Sequence, residues 1–392
     1  MIEPTKDASD SSIASSTDGF AKWMLDAFNR AGFCLMASIG HRAGLFDVMR
    51  DMPPATSAEI AARAGLNERY VREWLGAMTA SQVVRVTGLE KPERYTLPAE
   101  HAALLTRAAG ADNLAGLTQY IALLGSVEDE ILECFRNGGG VPYERFPRFH
   151  AVMAEDSGQS VIPALETHVL PLVAGLRDAL DRGIRVLDVG CGSGRIINRL
   201  AELFPRSRFE GRDLSSEAIA NATSDARSRN LSNARFLATD LSDFDRSAEP
   251  QLFDLVLTFD AIHDQARPLH VLKGIRRTLK NGGVYLMQDI RASSDVGRNI
   301  DHPLGTLLYG LVHALHDRFA RARRRGSGRH VGRRENPRLP AAGRIHVSRG
   351  SSARPRYPEQ LVRGEIARGW RVRHWRGELA CADREIESFA DR

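Results

Sequence analysis

The chain has 392 residues, 43% apolar and 26% charged, a composition that excludes a disordered or fibrous protein and suits two or three folded domains. Its net charge of +5 is unevenly placed: residues 317–392 hold 20 Arg, no Lys and 9 acidic side chains, which leaves 34 basic and 40 acidic ones in 1–316, a mildly acidic body. The polar start has no signal-peptide core and no apolar run reaches the roughly 18–20 residues of a membrane span, so a cytoplasmic location with no membrane partner is expected.

In chain order, residues 1–19 are rich in Ser, Asp and Thr and are expected to be disordered. Between 20 and 49, apolar residues such as Phe20, Trp23, Met24, Ala27, Phe33, Met36 and Ile39 recur at helical spacing. A capping box, Thr56-x-x-Glu59, opens a short helix with Ile60 and Ala64 facing inward. Asn67 caps the next helix, whose inner stripe is Val71, Trp74, Leu75 and Met78. Residues 83–87, a turn at 88–92 and residues 94–97 read as a hairpin wing, so 20–108 has the winged-helix pattern. Such a module binds DNA through its second helix, here carrying Arg69 and Arg72, or serves dimerisation or substrate capping. Glu68 and Glu73 beside those arginines make a poor phosphate-binding face, which favours the second reading and speaks against a nucleic-acid partner.

Residues 109–178 read as a mainly helical linker with a loop at 138–142, expected to help wall a substrate pocket. From 184 the rhythm becomes short β-runs separated by helical stretches, which signals a doubly wound α/β domain over 179–316. Its expected strands are 184–189, 208–211, 235–238, 253–258 and 284–288.

The strongest motif is VLDVGCGSGR, from Val186 to Arg195. An apolar strand runs into Gly190, Gly192 and Gly194, which let the backbone turn sharply and approach a ligand, and then into a helix. The G-x-G-x-G spacing differs from the G-x-G-x-x-G of dinucleotide sites, and Asp188 on the strand opposes a pyrophosphate but suits a cationic ligand. S-adenosyl-L-methionine, with its ammonium and sulfonium, fits better than NAD. Asp213 stands about twenty residues further on at a strand end, placed for ribose hydroxyls or, alternatively, for capping a helix. Asp240 follows the third strand, placed for an adenine amino group or for a local turn. The fourth strand ends in TFDAIHDQ, which brings His263 and Asp264 to the cleft side of the sheet as a candidate proton acceptor or a structural pair. Gly282 and Gly283 then turn into a strand ending at Asp289. The four cysteines, Cys34, Cys134, Cys191 and Cys381, form no C-x-x-C pair, so neither a disulfide scaffold nor a metal site is expected.

This constellation resembles the class I S-adenosylmethionine-dependent methyltransferases over about 180–290. With the winged-helix front, 20–316 is similar to plant-type and actinobacterial small-molecule methyltransferases. The resemblance implies an α/β, Rossmann-like catalytic domain preceded by a mainly helical winged-helix domain, and a homodimer. It further implies S-adenosyl-L-methionine bound by Asp188, Gly190, Gly192, Gly194, Asp213, Leu214, Asp240, Leu241 and Phe259. His263 would be the base, and a small molecule would accept the methyl group, on oxygen by expectation. A DNA-binding regulator and a catalytically impaired relic are the competing readings.

The tail is anomalous. From 318 to 356 no helical or alternating period is visible, which leaves a basic arm, a disordered extension or a shifted reading frame. Read one nucleotide later with permitted synonymous codons, 315–334 becomes a Gly-rich loop. On the same shift, 339–346 closes a helix in Ala-Gly-Phe and 353–365 becomes a strand. The resembling family ends in those elements, so a frame change near 309–316 is the favoured reading, and the printed tail is expected to leave the sheet without its last strands.

Overall fold

The computed structural model describes residues 16–87, 91–263, 265, 267–289, 296–300, 302–315, 344–349, 364–366 and 370–374. Of the stretch 1–19 expected to be disordered, 1–15 lie outside the described residues, as do most of the wing's turn, Asp264 and most of the tail, while 17–19 are helical, because Ser16 caps a helix that begins there. The described chain falls into two compact units divided between Ala122 and Leu123, inside the stretch expected as a linker.

In the first unit, α1 (Thr17–Arg42) starts at Ser16, whose side chain accepts a bond from the Gly19 amide at 3.0 Å. The helical spacing seen to residue 49 is broken at Gly44, whose φ of 72° ends one helix and begins α2 (Leu45–Arg50). In α3 (Ser57–Ala64) the capping box forms, with the Thr56 amide donating to Glu59 Oε2 at 2.8 Å and the Glu59 amide to Thr56 Oγ1 at 3.3 Å. Asn67 caps α4 (Glu68–Ala80), and its Val71, Trp74, Leu75 and Met78 stripe is buried. Trp74 organises this core: its indole N–H donates to the Met36 carbonyl at 2.8 Å and its ring meets Phe46 edge-on at 5.2 Å. Gly40 makes room for it, since a Cβ there would lie 2.4 Å from Trp74 Cζ2. The wing is β1 (Arg85–Thr87) against β2 (Arg94–Thr96), antiparallel with Val86 opposite Tyr95, followed by α5 (Ala99–Leu105). One flank of α1 departs from a simple core-facing stripe: Phe20, Trp23, Leu35 and Ile39 stay exposed, while Ala37, Ser38, Gly40 and His41 are buried. Arg72 spends its charge on Glu68, 3.6 Å away on the next turn, rather than on an open basic face.

The second unit is built on a twisted sheet. Before it runs α6 (Phe149–Ala164). Then strands and helices alternate: β3 (Arg185–Val189), α7 (Arg195–Leu203), β4 (Arg208–Asp213), α8 (Ser216–Ser228), β5 (Ala234–Ala238), β6 (Phe253–Phe259), α9 (Pro268–Thr278) and β7 (Leu279–Gln288). A helix α10 (Gly305–Leu315) follows. The order is β5-β4-β3-β6-β7, all parallel, with the chain reversing direction of travel at β3. Period-two alternation buries the sheet on both faces: Val186, Leu255 and Leu286 join one core with Ile197, Leu200 and Phe204, while Leu187, Val189 and Val256 join the other with Val271 and Ile275. β7 begins five residues earlier than the expected 284, because the ladder with β6 resumes across Gly282 through a register shift between Phe253 and Leu255.

The expectation about the tail needs correction. β8 (Arg344–Arg349) lies antiparallel to β7, β10 (Trp370–His374) lies parallel to β8, and β9 (Gly364–Ile366) lies antiparallel to β10. The printed sequence therefore supplies closing strands. Ile345 and Val347 alternate with His346 and Ser348, and Trp370 and Val372 with Arg371 and Arg373, a short period of two among many arginines.

Candidate active site

The carboxyl ends of β3, β4, β5 and β6 open into a cleft of about 1180 Å³, open solvent included. Open α/β sheets bind ligands at this end, where neighbouring connections diverge. At its floor, the Gly190 and Cys191 amides donate to the Arg212 carbonyl at 2.8 and 3.1 Å, which folds the loop back over β4. Gly190 combines a φ of 77° with a tight approach: a Cβ there would lie 2.5 Å from Ala261 Cβ. Gly192 has a φ of 51° and open space before it.

Eight of the nine residues expected to hold the cofactor line this cleft. Gly194 does not. A Cβ there would strike Phe236 at 2.5 Å and Ala222 at 2.6 Å, so this glycine lets α7 sit close to β5 and α8. Asp213 at the tip of β4 is fixed from both sides, Oδ2 accepting from the Gly192 amide at 2.8 Å and Oδ1 from the Ser215 amide at 2.9 Å. The cap of α8 is Ser215, not Asp213. Asp240 is exposed and accepts from the Ser242 amide at 2.8 Å, so it forms the local turn while facing the cleft. Leu214 stands half exposed and Leu241 is buried. Asp188 is 2% exposed, and its Oδ1 has no hydrogen-bond partner among the described residues. Burial, reinforced by the charge of Asp213, pushes its carboxyl up to about 8.

Sequence reasoning missed Asp260. It follows β6 with a left-handed φ of 47°, unusual for a side chain bearing Cβ, and its amide donates to the Gln288 carbonyl at 2.9 Å. Gln288 Nε2 donates to its Oδ2 at 3.1 Å, while Oδ1 is buried without a partner among the described residues. Burial, then the nearby Asp289, raises this carboxyl to about 8. Within the stretch expected to help wall a pocket, Tyr143, Phe149, His150 and Met153 line the cleft, side chains that the sequence did not single out. His150 Nε2 meets Ser215 Oγ at 2.9 Å, which ties α6 to the Asp213 turn.

His263 does not line this cleft. Its amide donates to Asp289 Oδ2 at 3.2 Å and its Nδ1 is hydrogen-bonded to Asp289 Oδ1, both side chains being almost fully buried. An ionised carboxylate only accepts, so a proton on Nδ1 donates to Asp289. Asp289 was legible as a strand end but not as this partner.

Glycine loop, acidic strand tips and sheet order define a class I methyltransferase domain. A profile of a methyltransferase domain matches residues 180–317, and one of the Rv2258c-like winged HTH domain matches 31–107. The chain thus pairs a winged-helix domain with a methyltransferase domain behind it. It is 32% identical to the fatty-acid O-methyltransferase of Mycolicibacterium smegmatis over 114 residues, which is 29% of this chain and spans only 40% of that enzyme's length. Methyltransferase ungE' of Aspergillus campestris is 24% identical over 322 residues, 77% of this chain and 88% of its own. Among solved structures, human N-acetylserotonin methyltransferase in complex with SAM has a TM-score of 0.53 at 17% identity, covering 81% of this chain and 88% of that one. An O-methyltransferase family protein from Burkholderia thailandensis has a TM-score of 0.51 at 17% identity, covering 78% and 88%. At these identities the structural likeness shows the fold. No helix among the described residues is long and apolar enough to cross a membrane.

Proposed function

We propose that the chain transfers a methyl group from S-adenosyl-L-methionine to an oxygen of a small-molecule acceptor. The observation that carries this reading is the pair of buried, unpartnered carboxylate oxygens, Asp188 Oδ1 and Asp260 Oδ1, on the wall of one cleft. Buried polar atoms left without partners are costly and expect a ligand, and a ligand bringing hydrogen-bond donors and positive charge satisfies both. A sulfonium carrying an ammonium fits that requirement, whereas a pyrophosphate does not.

Bound in the cleft, S-adenosylmethionine supplies a methyl made electrophilic by its sulfonium. The chain's own residues bind and orient. Gly190 and Gly192 give the methionine part room against bare backbone, and Asp188 and Asp260 supply counter-charge. Asp213, already fixed by the Gly192 and Ser215 amides, has lone pairs free for ribose hydroxyls. Asp240 would hold the adenine amino group, and Leu214, Leu241 and Phe259 would flank the ring. The base role falls to His263 by the family resemblance, with Asp289 holding its ring, although that ring is buried and does not line the cleft. General-base help of this kind contributes roughly 10²–10⁴-fold.

The O-methyltransferase names among the relatives support oxygen as the accepting atom. The exposed flank of α1, with Phe20, Trp23, Phe28 and Ile39, supports a homodimer, which light scattering on the full chain tests. Isothermal titration with S-adenosylhomocysteine tests the enzyme reading: saturable binding is expected, and no heat at millimolar ligand refutes it.

A further inference from the structure

We propose that a crevice at the amino edge of the sheet, at the opposite end of the strands from the glycine loop, is a second ligand site and that it takes a phosphoryl group. It shares no lining residue with the cofactor cleft. The first residues of β3, β4 and β6 and the run into β5 surround a space of about 530 Å³, open solvent included. Its charged side chains are Arg185, Arg208, Arg235 and Glu210, three guanidiniums against one carboxylate.

Register brings these charges together. Parallel pairing sets Arg185 opposite Arg208 and, two residues on, Glu210 opposite Arg235, and residues two apart on a strand share a face. Glu210 does not neutralise the group. It is buried and accepts from Arg212 Nε at 2.6 Å as well as from Arg235 Nε at 2.8 Å, so one carboxylate already serves two guanidiniums. Asp254, which accepts from the Arg185 amide at 2.9 Å, is engaged by Lys280 Nζ at 2.9 Å. The Arg185 guanidinium stands over the Phe253 ring, 5.7 Å from its centre, and Arg208 is exposed. Neither has an ion pair or a side-chain hydrogen bond among the described residues. Two cations set side by side repel, and an anion shared between them removes that repulsion.

The backbone around the crevice is fixed without a ligand. Ser207 is fully buried, and its Oγ accepts from the Ile184 amide at 3.0 Å and donates to the Leu180 carbonyl at 2.6 Å. Asn233 Nδ2 donates to the Ala201 and Ser207 carbonyls at 3.0 and 3.1 Å. The starts of β3, β4 and β5 are thereby tied together, and the arginines project from a rigid edge. Paired N–H donors on neighbouring guanidiniums match the oxygens of a phosphate, and a dianion answers this excess of positive charge more fully than a single carboxylate does.

The test titrates the full chain with inorganic phosphate and with glycerol 3-phosphate at fixed ionic strength, with and without saturating S-adenosylhomocysteine. Saturable binding is expected, with the same affinity whether or not S-adenosylhomocysteine is present. Arg208→Gln and, separately, Arg185→Gln weaken it about tenfold or more, and Arg208→Lys recovers part. Arg227→Gln, which removes an exposed arginine of α8 outside the crevice, changes it less than about twofold. Tighter binding of glycerol 3-phosphate identifies a phosphate ester as the ligand, and equal affinity identifies the free ion; both support the site. Absence of saturable binding, displacement by S-adenosylhomocysteine, or unchanged affinity in the Arg208 and Arg185 variants overturns the proposal. Equal weakening by Arg227→Gln marks general charge attraction and overturns it too. A chain that binds phosphate but not S-adenosylhomocysteine refutes the methyltransferase reading and leaves this site standing.

Discussion

Replacing Asp188 by Asn separates what this carboxyl does for folding from what it does for binding. In the fold it is buried and titrates at about 8, while in the unfolded chain it titrates near the ordinary carboxylate value of about 3.9. Between those pH values the unfolded chain has lost the proton that the folded chain still holds. Unfolding then releases a proton, so stability falls as pH rises, by about 1.4 kcal/mol per unit for this one group. Above pH 8 the accumulated cost reaches about 5 kcal/mol, because each of four units of displacement contributes fully. The Asn variant does not titrate. Its ligand-free melting temperature is expected to equal or trail the wild type near pH 4 and to exceed it by several degrees at pH 8. The same variant loses the counter-charge for a cationic ligand, so S-adenosylhomocysteine binding at pH 8 weakens by tenfold or more, on the order of 1.4 kcal/mol. Differential scanning fluorimetry across pH 4–9 and titration calorimetry at pH 8 read the two effects. A stability gap that does not widen with pH, or unchanged affinity, refutes the account of Asp188.

Four further outcomes follow from other parts of the fold. His263→Ala lowers turnover by roughly 10²–10⁴-fold with S-adenosylhomocysteine affinity unchanged. Asp289→Asn lowers turnover less, because the ring loses the carboxylate that holds its Nδ1, as steady-state kinetics would show. Gly194→Ala forces a Cβ to within 2.5 Å of Phe236 at a φ of 67° and destabilises the second unit by about 1–3 kcal/mol, while the fraction that remains folded binds S-adenosylhomocysteine normally. Trp74→Phe removes the bond to the Met36 carbonyl and costs about 1 kcal/mol in denaturant unfolding followed on the first unit.

What the sequence made legible was local. A capping box is four consecutive residues, and Thr56 and Glu59 could be read as one without any fold. The glycine motif likewise carries its own strand, turn and helix. Misreadings arose where the deciding contact was distant in sequence. Gly194 has the spacing of a ligand-facing glycine, but its neighbours are Phe236 and Ala222 on other elements. The apolar spacing of α1 predicted a helix correctly, yet spacing alone does not say which flank a partner element covers, and Phe20 and Trp23 stay exposed. In the tail, strand alternation of only five or six residues is hidden when Arg and His occupy the intervening positions, as at Ile345, Val347 and Val372. Those strands remove part of the ground on which the shifted frame was favoured, since it rested on their absence.

The acid pair beyond the glycine loop shows how far one further step of inference reaches. Parallel pairing sets Phe259 opposite Gln288, so the next residue of each strand, Asp260 and Asp289, must emerge side by side at the carboxyl edge. By the same rule, Val189 opposite Arg212 brings Gly190 to Asp213. Two neighbouring carboxyls at one edge cannot both ionise freely, and a histidine inserted after the shorter strand relieves one of them: His263 takes Asp289, and Asp260 is left raised and half satisfied beside the cleft. The division of labour between a positioning acid and a ligand-facing acid therefore follows from register and burial, and register is what a single sequence, read without its pairing partner, does not carry.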